Sequence, residues 1–264
     1  MTERVLVSVE EGVARVRLNR PEKRNGLDPA MFDALVAAGE RLAAERTVRC
    51  VVLSGEGRAF CAGLDWQAAM ALGSEGAARL LARDPTRSPA NLAQRVCWIW
   101  NELPMPVIAA VHGAALGGGL QIALACDMRI VARDCQLSVM EVRYGLIPDM
   151  TASATLLRLV RPDVARELIY TGRVVDGEEA ARIGLASRVA DDPLAAALEL
   201  AHLIASQSPD AVRAGKRLCN EAPGMPRDRA LVFETELQLG LLGTPNQLEA
   251  VQAALAKRPA RFHD

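Results

Sequence analysis

Two glycine turns carry the first chemical signal in this sequence. One is ALGGGLQIALACD, residues 115–127, where three glycines open an apolar helical run and Gln121 lies just inside it. The other is RAFCAGLDW, residues 58–66, where Ala62-Gly63 precedes a helical segment expected from Leu64. Each follows an apolar stretch that reads as a strand. The first turn of a helix has unpaired N–H groups and a positive dipole end, so such a turn can aim donors at an anion. Glycine also lets another molecule approach that backbone closely. One turn offers one donor, whereas two offer the pair that an oxyanion hole needs to hold a carbonyl oxygen that becomes negative during reaction. Tight helix–strand packing is the structural alternative for either turn. A bound phosphate is disfavoured, because the glycines do not match G-x-G-x-x-G in its context and no GK[ST] is present. Gln121 can only orient other groups by hydrogen bonds, since an amide neither takes nor gives a proton near neutral pH.

The elements that would position these turns follow from periodicity. Residues 4–9 and 13–18 alternate as two strands joined around Glu11-Gly12. NRPEKRNGL (19–27) is a turn-rich loop, and Asp28-Pro29 is a helix start, with an N-cap before a proline. A helix to about Glu45 follows, with Met31, Leu35, Ala38 and Leu42 on one face. Residues 50–53, 107–111 and 127–132 read as short buried strands, and 91–103 as a helix. Residues 73–90 are rich in Gly, Ser, Pro and Arg and read as a loop or a short broken helix. Beyond about 150 the chain turns helical, with starts at Asp176, Asp192-Pro193, Ser208-Pro209 and Arg227.

Composition narrows the function. The 264 residues suffice for one large domain with a sizeable core. No apolar run is long enough to span a membrane, and the charged N-terminus MTERVLVSVEEG does not fit a signal peptide, so a soluble cytoplasmic protein is expected. With 31 basic and 32 acidic residues, the chain has no electrostatic footprint for nucleic acid or an anionic membrane. The six cysteines form no CxxC pair and read as buried reduced thiols. His112, His202 and His263 lack zinc-like partner spacing, so no metal site is expected, and His112 reads as structural.

AFCAGLD and, about sixty residues later, ALGGGLQIALACD together resemble the paired signature of the crotonase superfamily, the enoyl-CoA hydratase/isomerase family. NRPEKRNGLD is similar to that family's early loop, MEVRYGLIPDM (140–150) to its second active-site segment, and TGRVVDGEEAARIGLASRV (171–189) to its passage into a helical tail. The resemblance spans essentially the whole chain.

It implies an α/β fold: a crotonase-like spiral of ββα turns over residues 1–195, holding the active site, and a helical C-terminal region, 196–264, that mediates trimerisation, often as a dimer of trimers. It also implies an acyl-CoA thioester substrate and no cofactor, because coenzyme A arrives with the substrate. Leu64 and Gly118 would donate the oxyanion-hole N–H groups. Ala62, Gly117 and Trp66 would line the substrate site, and Arg24 and Lys257, with Arg258 beside it, would meet the CoA phosphates.

Family hydratases commonly pair two glutamates. Here the second position holds Glu141, while the first holds Gln121, which argues against two-glutamate hydration. A lone glutamate suffices to shift a double bond, and Asp149 falls where the family's dienoyl-CoA isomerases carry an acid. The resemblance therefore implies hydration of a 2-enoyl thioester or double-bond isomerisation, with Glu141 as general acid/base. A thioester-binding protein with little turnover is the alternative. Residue by residue, Glu141 has a structural alternative as a surface ion pair with Arg143. Asp149 has one as an N-cap for Thr151 onward, Gln121 as a buried amide, and Trp66 as simple packing.

Overall fold

Alternation in the first eighteen residues produces a hairpin, β1 (Val5–Glu10) and β2 (Val13–Leu18), turned at Glu11 and Gly12, whose φ angles are +48° and +77°. The computed structural model describes residues 3–83, 86 and 88–264. After the hairpin come α1 (Pro29–Ala43), β3 (Cys50–Gly55), α2 (Trp66–Leu81), α3 (Leu92–Glu102) and β4 (Val107–Val111). Next are β5 (Ala114–Leu116), α4 (Gly118–Ala125), β6 (Met128–Val131), β7 (Gln136–Ser138), α5 (Leu156–Leu159) and α6 (Pro162–Thr171). The chain finishes with α7 (Gly177–Arg182), β8 (Arg188–Val189), α8 (Pro193–Ala205), α9 (Pro209–Glu221), α10 (Arg227–Leu239) and α11 (Pro245–Leu255).

The main sheet runs β1-β2-β3-β4-β6-β8, antiparallel at the hairpin and parallel thereafter. Its central strands, CVVLSG and VIAAV, are buried on both faces, as parallel strands covered by helices must be. Period-two alternation sorts their side chains. Val51, Leu53, Val107 and Ala109 enter the large core under α1, α3 and α4. Cys50, Val52, Ile108 and Ala110 face the other way and meet Ala197, Ala201 and Ala205 of α8.

A second, shorter ladder lies beside this sheet. β5 pairs with β7 in parallel, and single bridges join Leu27 to Leu64 and Cys61 to Ala115. The chain thus repeats a strand of the main sheet, a short strand or bridge of the second ladder, and a helix: β3, Cys61, α2, then β4, β5, α4. The helical tail is tied on by Lys216 of α9, whose buried ammonium pairs with Asp127 at 2.9 Å and donates to Trp100 O and Met105 O. Helix α8 crosses residue 195 while packing on the sheet.

Of the loop and the short broken helix expected over 73–90, residues 73–81 form the broken helix: α2 runs 66–81 and is kinked at Gly73, whose φ of +57° and ψ of −152° break its regular backbone. Residues 84, 85 and 87 of the same stretch lie outside the described residues. The helix after Ala62-Gly63 starts at Trp66, with Asp65 as N-cap, instead of at Leu64. Strand β7 has no counterpart in the sequence reading, because three residues give too short a pattern to register. No helix among the described residues is long and apolar enough to cross a membrane.

Candidate active site

The early loop is built to hold the 61–65 segment in place. Asn25 is fully buried in the left-handed region (φ +57°), and its amide donates to Glu56 O, Ala59 O and Phe60 O while accepting from Arg20 N–H. The Arg24 carbonyl accepts from Ala62 N–H at 2.9 Å. Arg20, nearly buried, reaches Asp65 at 2.8 Å and Asp28 at 3.5 Å, the two carboxylates that cap α2 and α1. Burial alone would raise both carboxyls. For Asp28, the bonds from Arg4 and Met31 N–H outweigh it; for Asp65, those from Ala68 N–H and Arg20 do, and both groups sit below their ordinary values.

With that segment fixed, the two glycine turns meet. Leu27 N–H donates to Gly63 O and Asp65 N–H donates to Leu27 O, a pairing that turns the Leu64 N–H away from Leu27. Neither the Leu64 N–H nor the Gly118 N–H, at the first position of α4, finds an acceptor among the described residues. The approach is close enough to exclude side chains. A Cβ on Gly119 would stand 2.2 Å from Cys61 O, and one on Gly63 would stand 2.5 Å from Leu116 O and 3.6 Å from Gly118 N. Gly117, with φ +51° and ψ −122°, makes the corner into α4 that residues with a Cβ disfavour. The glycines thus both permit packing and leave two N–H groups free side by side.

Those N–H groups open onto a cavity of about 370 Å³. Leu64, Gly117, Gly118 and Glu141 line it, and its apolar walls include Phe32, Leu80, Ala93 and Met150. Ala69, Gly73 and Gly76 give α2 a low side-chain profile along the same wall. At the rim, Trp66 and Tyr144 stack with ring centroids 4.6 Å apart and planes tilted by 36°.

Glu141 begins a 3₁₀ turn, residues 141–144. Its Oε1 accepts from the Gln121 amide at 2.6 Å, and its Oε2 is buried with no donor among the described residues. Burial raises its carboxyl above the ordinary value and the Asp149 charge adds to this; its own backbone N–H and the Gln121 amide act against it. Asp149 lies on the same cavity, exposed on its outer side, and partial desolvation raises its carboxyl too. Two carboxyls of one cavity are therefore both biased toward holding a proton. Cys61, close by, is no nucleophile: burial pushes its thiol up to about 12.

The structure brings together Ala62, Leu64, Trp66, Gly117, Gly118, Glu141 and Asp149 on the cavity, with Gln121 behind Glu141. Glu141 makes no ion pair with Arg143, whose side chain packs instead beside Gly172. Asp149 caps no helix, because α5 starts only at Leu156. Trp66 both lines the cavity and packs. His112 is tied to Gly57 O at 2.9 Å. Arg24 is exposed beside the turn, its guanidinium without a partner among the described residues. Lys257 lies after α11, off the cavity lining, and Arg258 is engaged by Glu249 at 2.6 Å. Phe32 and Tyr144 also line the cavity without a signal of their own in the sequence: Phe32 reads only as part of a helix, and in MEVRYGLIPDM the acids beside Tyr144 are the stronger signal.

The family model for enoyl-CoA hydratase/isomerase matches residues 8–264. The chain belongs to the enoyl-CoA hydratase/isomerase family. Among its relatives, a crotonyl-CoA hydratase of Syntrophomonas wolfei is 33% identical, the match covering 98% of each chain. The mitochondrial Delta(3,5)-Delta(2,4)-dienoyl-CoA isomerase of Rattus norvegicus is 31% identical over 97% of this chain and 80% of its own. A solved enoyl-CoA hydratase from Bacillus anthracis superposes with a TM-score of 0.89 at 32% identity, covering 98% of each chain. The family thus includes both chemistries that the site's carboxylates raise.

Proposed function

We propose that this protein acts on an unsaturated acyl-CoA thioester. The observation that carries the reading is the convergence of two free backbone N–H groups, Leu64 and Gly118, with the buried carboxyl of Glu141 on one apolar cavity. The thioester oxygen sits between the two N–H groups. As a proton leaves or reaches the acyl carbons, charge moves onto that oxygen, where preorganised donors stabilise it; losing one such donor typically costs about 10²–10³ in rate. Glu141 carries the proton, and its raised pKa suits a group that must both take and give one. No cofactor is needed beyond the CoA of the substrate.

Two outcomes remain within this chemistry: hydration of a 2-enoyl thioester, or a double-bond shift in which Glu141 removes a proton from one carbon and returns it to another. Gln121 is spent on holding Glu141 and supplies no second base, which favours the shift. Asp149 stands on the same cavity as a second carboxyl for a longer conjugated system. The walls suit an uncharged acyl chain. Arg24, exposed on the early loop, would meet CoA phosphate, with Lys257 as a second cation near the C-terminus. Exposed Leu203, Leu231, Leu239, Leu248 and Leu255 on the helices after residue 196 supply apolar surface for a trimer or a dimer of trimers.

Product analysis tests the reading. The protein is incubated separately with 2-enoyl-, 3-enoyl- and 3,5-dienoyl-CoA, and products are followed by mass spectrometry and chromatography. Gain of water means hydration, and a shifted double bond at unchanged mass means isomerisation. Binding without product on all three would overturn the catalytic reading in favour of a thioester-binding protein.

A further inference from the structure

Gln121 sits in the middle of a two-sided hydrogen-bond arrangement that fixes which way its amide faces. The side chain is fully buried on α4, a helix whose every residue is buried. On one side, Ala152 N–H donates to Gln121 Oε1 at 3.3 Å. On the other, Gln121 Nε2 donates to Glu141 Oε1 at 2.6 Å. A backbone N–H can only donate, so the amide oxygen must face Ala152 and the NH₂ must face Glu141. The Ala152 N–H is itself held by an unusual turn. Thr151 has a φ of +80°, rare for a β-branched residue, and its carbonyl accepts from Ala154 N–H, Thr155 N–H and Thr155 Oγ1.

We propose that Gln121 is a positioning residue: through the Ala152–Gln121–Glu141 chain of hydrogen bonds it holds the Glu141 carboxyl at the cavity wall and keeps it available as a proton acceptor. This rests on the reading of Glu141 as the acid/base. A donor at 2.6 Å from Oε1 favours the ionised carboxyl, opposing the burial and the Asp149 charge that favour the proton. Among the described residues, the groups around Glu141 include no cation that performs the same task. Asp149 follows it in the chain, Tyr144 shares its 3₁₀ turn, Arg143 is turned toward Gly172, and the Cys97 thiol of α3, which feels both carboxyls, is itself raised by burial. Besides the backbone N–H of Glu141 itself, the amide is therefore the side-chain group that balances Glu141 between its two protonation states.

The test compares pH profiles of kcat/KM for the wild type, Gln121→Met and Glu141→Gln on the turned-over thioester. Gln121→Met keeps the volume and removes the donor. The expected result is an acid limb moved up by about one pH unit and a kcat lowered roughly 10- to 100-fold, with KM little changed because the Leu64 and Gly118 donors are untouched. A merely structural glutamine would lower the melting temperature and leave the acid limb in place, and that result would overturn the proposal. If Gln121→Met does not fold, Gln121→Glu serves. The introduced carboxyl, while protonated, still donates to Glu141, so activity survives at low pH and a new basic limb appears as the pair loses its shared proton. An unchanged profile would again overturn the proposal. Full activity in Glu141→Gln would instead remove the reading on which the proposal rests.

Discussion

Trp66 and Tyr144 meet at the cavity rim with ring centroids 4.6 Å apart, joining the first turn of α2 to the 3₁₀ turn that begins at Glu141. The contact links the helix along the apolar wall to the segment carrying Glu141. Tyr144 is also half exposed, so its ring is available to a ligand entering the cavity. Tyr144→Ala is expected to raise KM several-fold while kcat falls little, because the Leu64 and Gly118 N–H groups and the Glu141 carboxyl are untouched. Steady-state kinetics on the turned-over thioester check this.

Gly119 and Gly215 are both helical glycines with opposite expectations. A Cβ on Gly119 would stand 2.2 Å from Cys61 O, in backbone that cannot yield, whereas one on Gly215 of α9 would meet nothing within 4 Å. Gly119→Ala should cost about 3 kcal/mol or more, and Gly215→Ala should stabilise by about 0.5–1 kcal/mol. Chemical denaturation of both variants measures the contrast.

The acid limb of the kcat/KM profile should lie above the ordinary value of a glutamate, because burial and the Asp149 charge raise Glu141. Asp149→Asn removes that charge, so the Glu141 pKa falls and the acid limb moves to lower pH. The stability sign runs the other way from a capping aspartate: a carboxyl raised in the fold contributes stability at low pH that is lost as pH rises through its folded value.

Asp28 and Asp65 are held low by hydrogen bonds and by cationic neighbours, so their contribution is present above the unfolded carboxylate pKa and is lost as pH falls through the lowered values. Arg20→Met removes the cation nearest Asp65 and should cost about 2 kcal/mol at neutral pH. Acid unfolding should then begin at higher pH, as circular dichroism would show.

Gly76 is buried on the face of α2 that lines the cavity. Gly76→Leu should fill that wall and lower kcat/KM for long acyl chains roughly tenfold or more, with a smaller effect on a four-carbon substrate. A chain-length series distinguishes this from general loss of function.

Strands β2, β3 and β4 and helices α1 and α3 were legible because their apolar periods are unambiguous and their starts carry Asp28-Pro29 and Asn91 caps. The glycine turns were legible as a pair because two strand–glycine–helix junctions share one chemistry. Helix α2 past Gly73 was legible only as one of two alternatives, loop or short broken helix, since Gly73, Ser74 and Gly76 have low helix propensity. The partner of Gln121 was hidden. Nothing within ALGGGLQIALACD says that its amide will face a carboxyl twenty residues on and an N–H thirty-one residues on. Those contacts exist only once the β5–β7 pairing brings residues 116 and 138 together.

Product formation in D₂O decides whether Glu141 carries the proton. The wild type and Glu141→Gln are each given the turned-over unsaturated acyl-CoA in D₂O, and label and double-bond position in the acyl chain are followed by mass spectrometry and chromatography, with thioester binding measured beside them. Product is expected from the wild type, labelled where the proton comes from solvent and unlabelled with a shifted double bond where Glu141 returns the proton it removed. The variant is expected to lose at least about 10² in the rate of both, while both proteins still bind the thioester. Equal product formation by Glu141→Gln would show that another group carries the proton and would contradict the acid/base role assigned to Glu141.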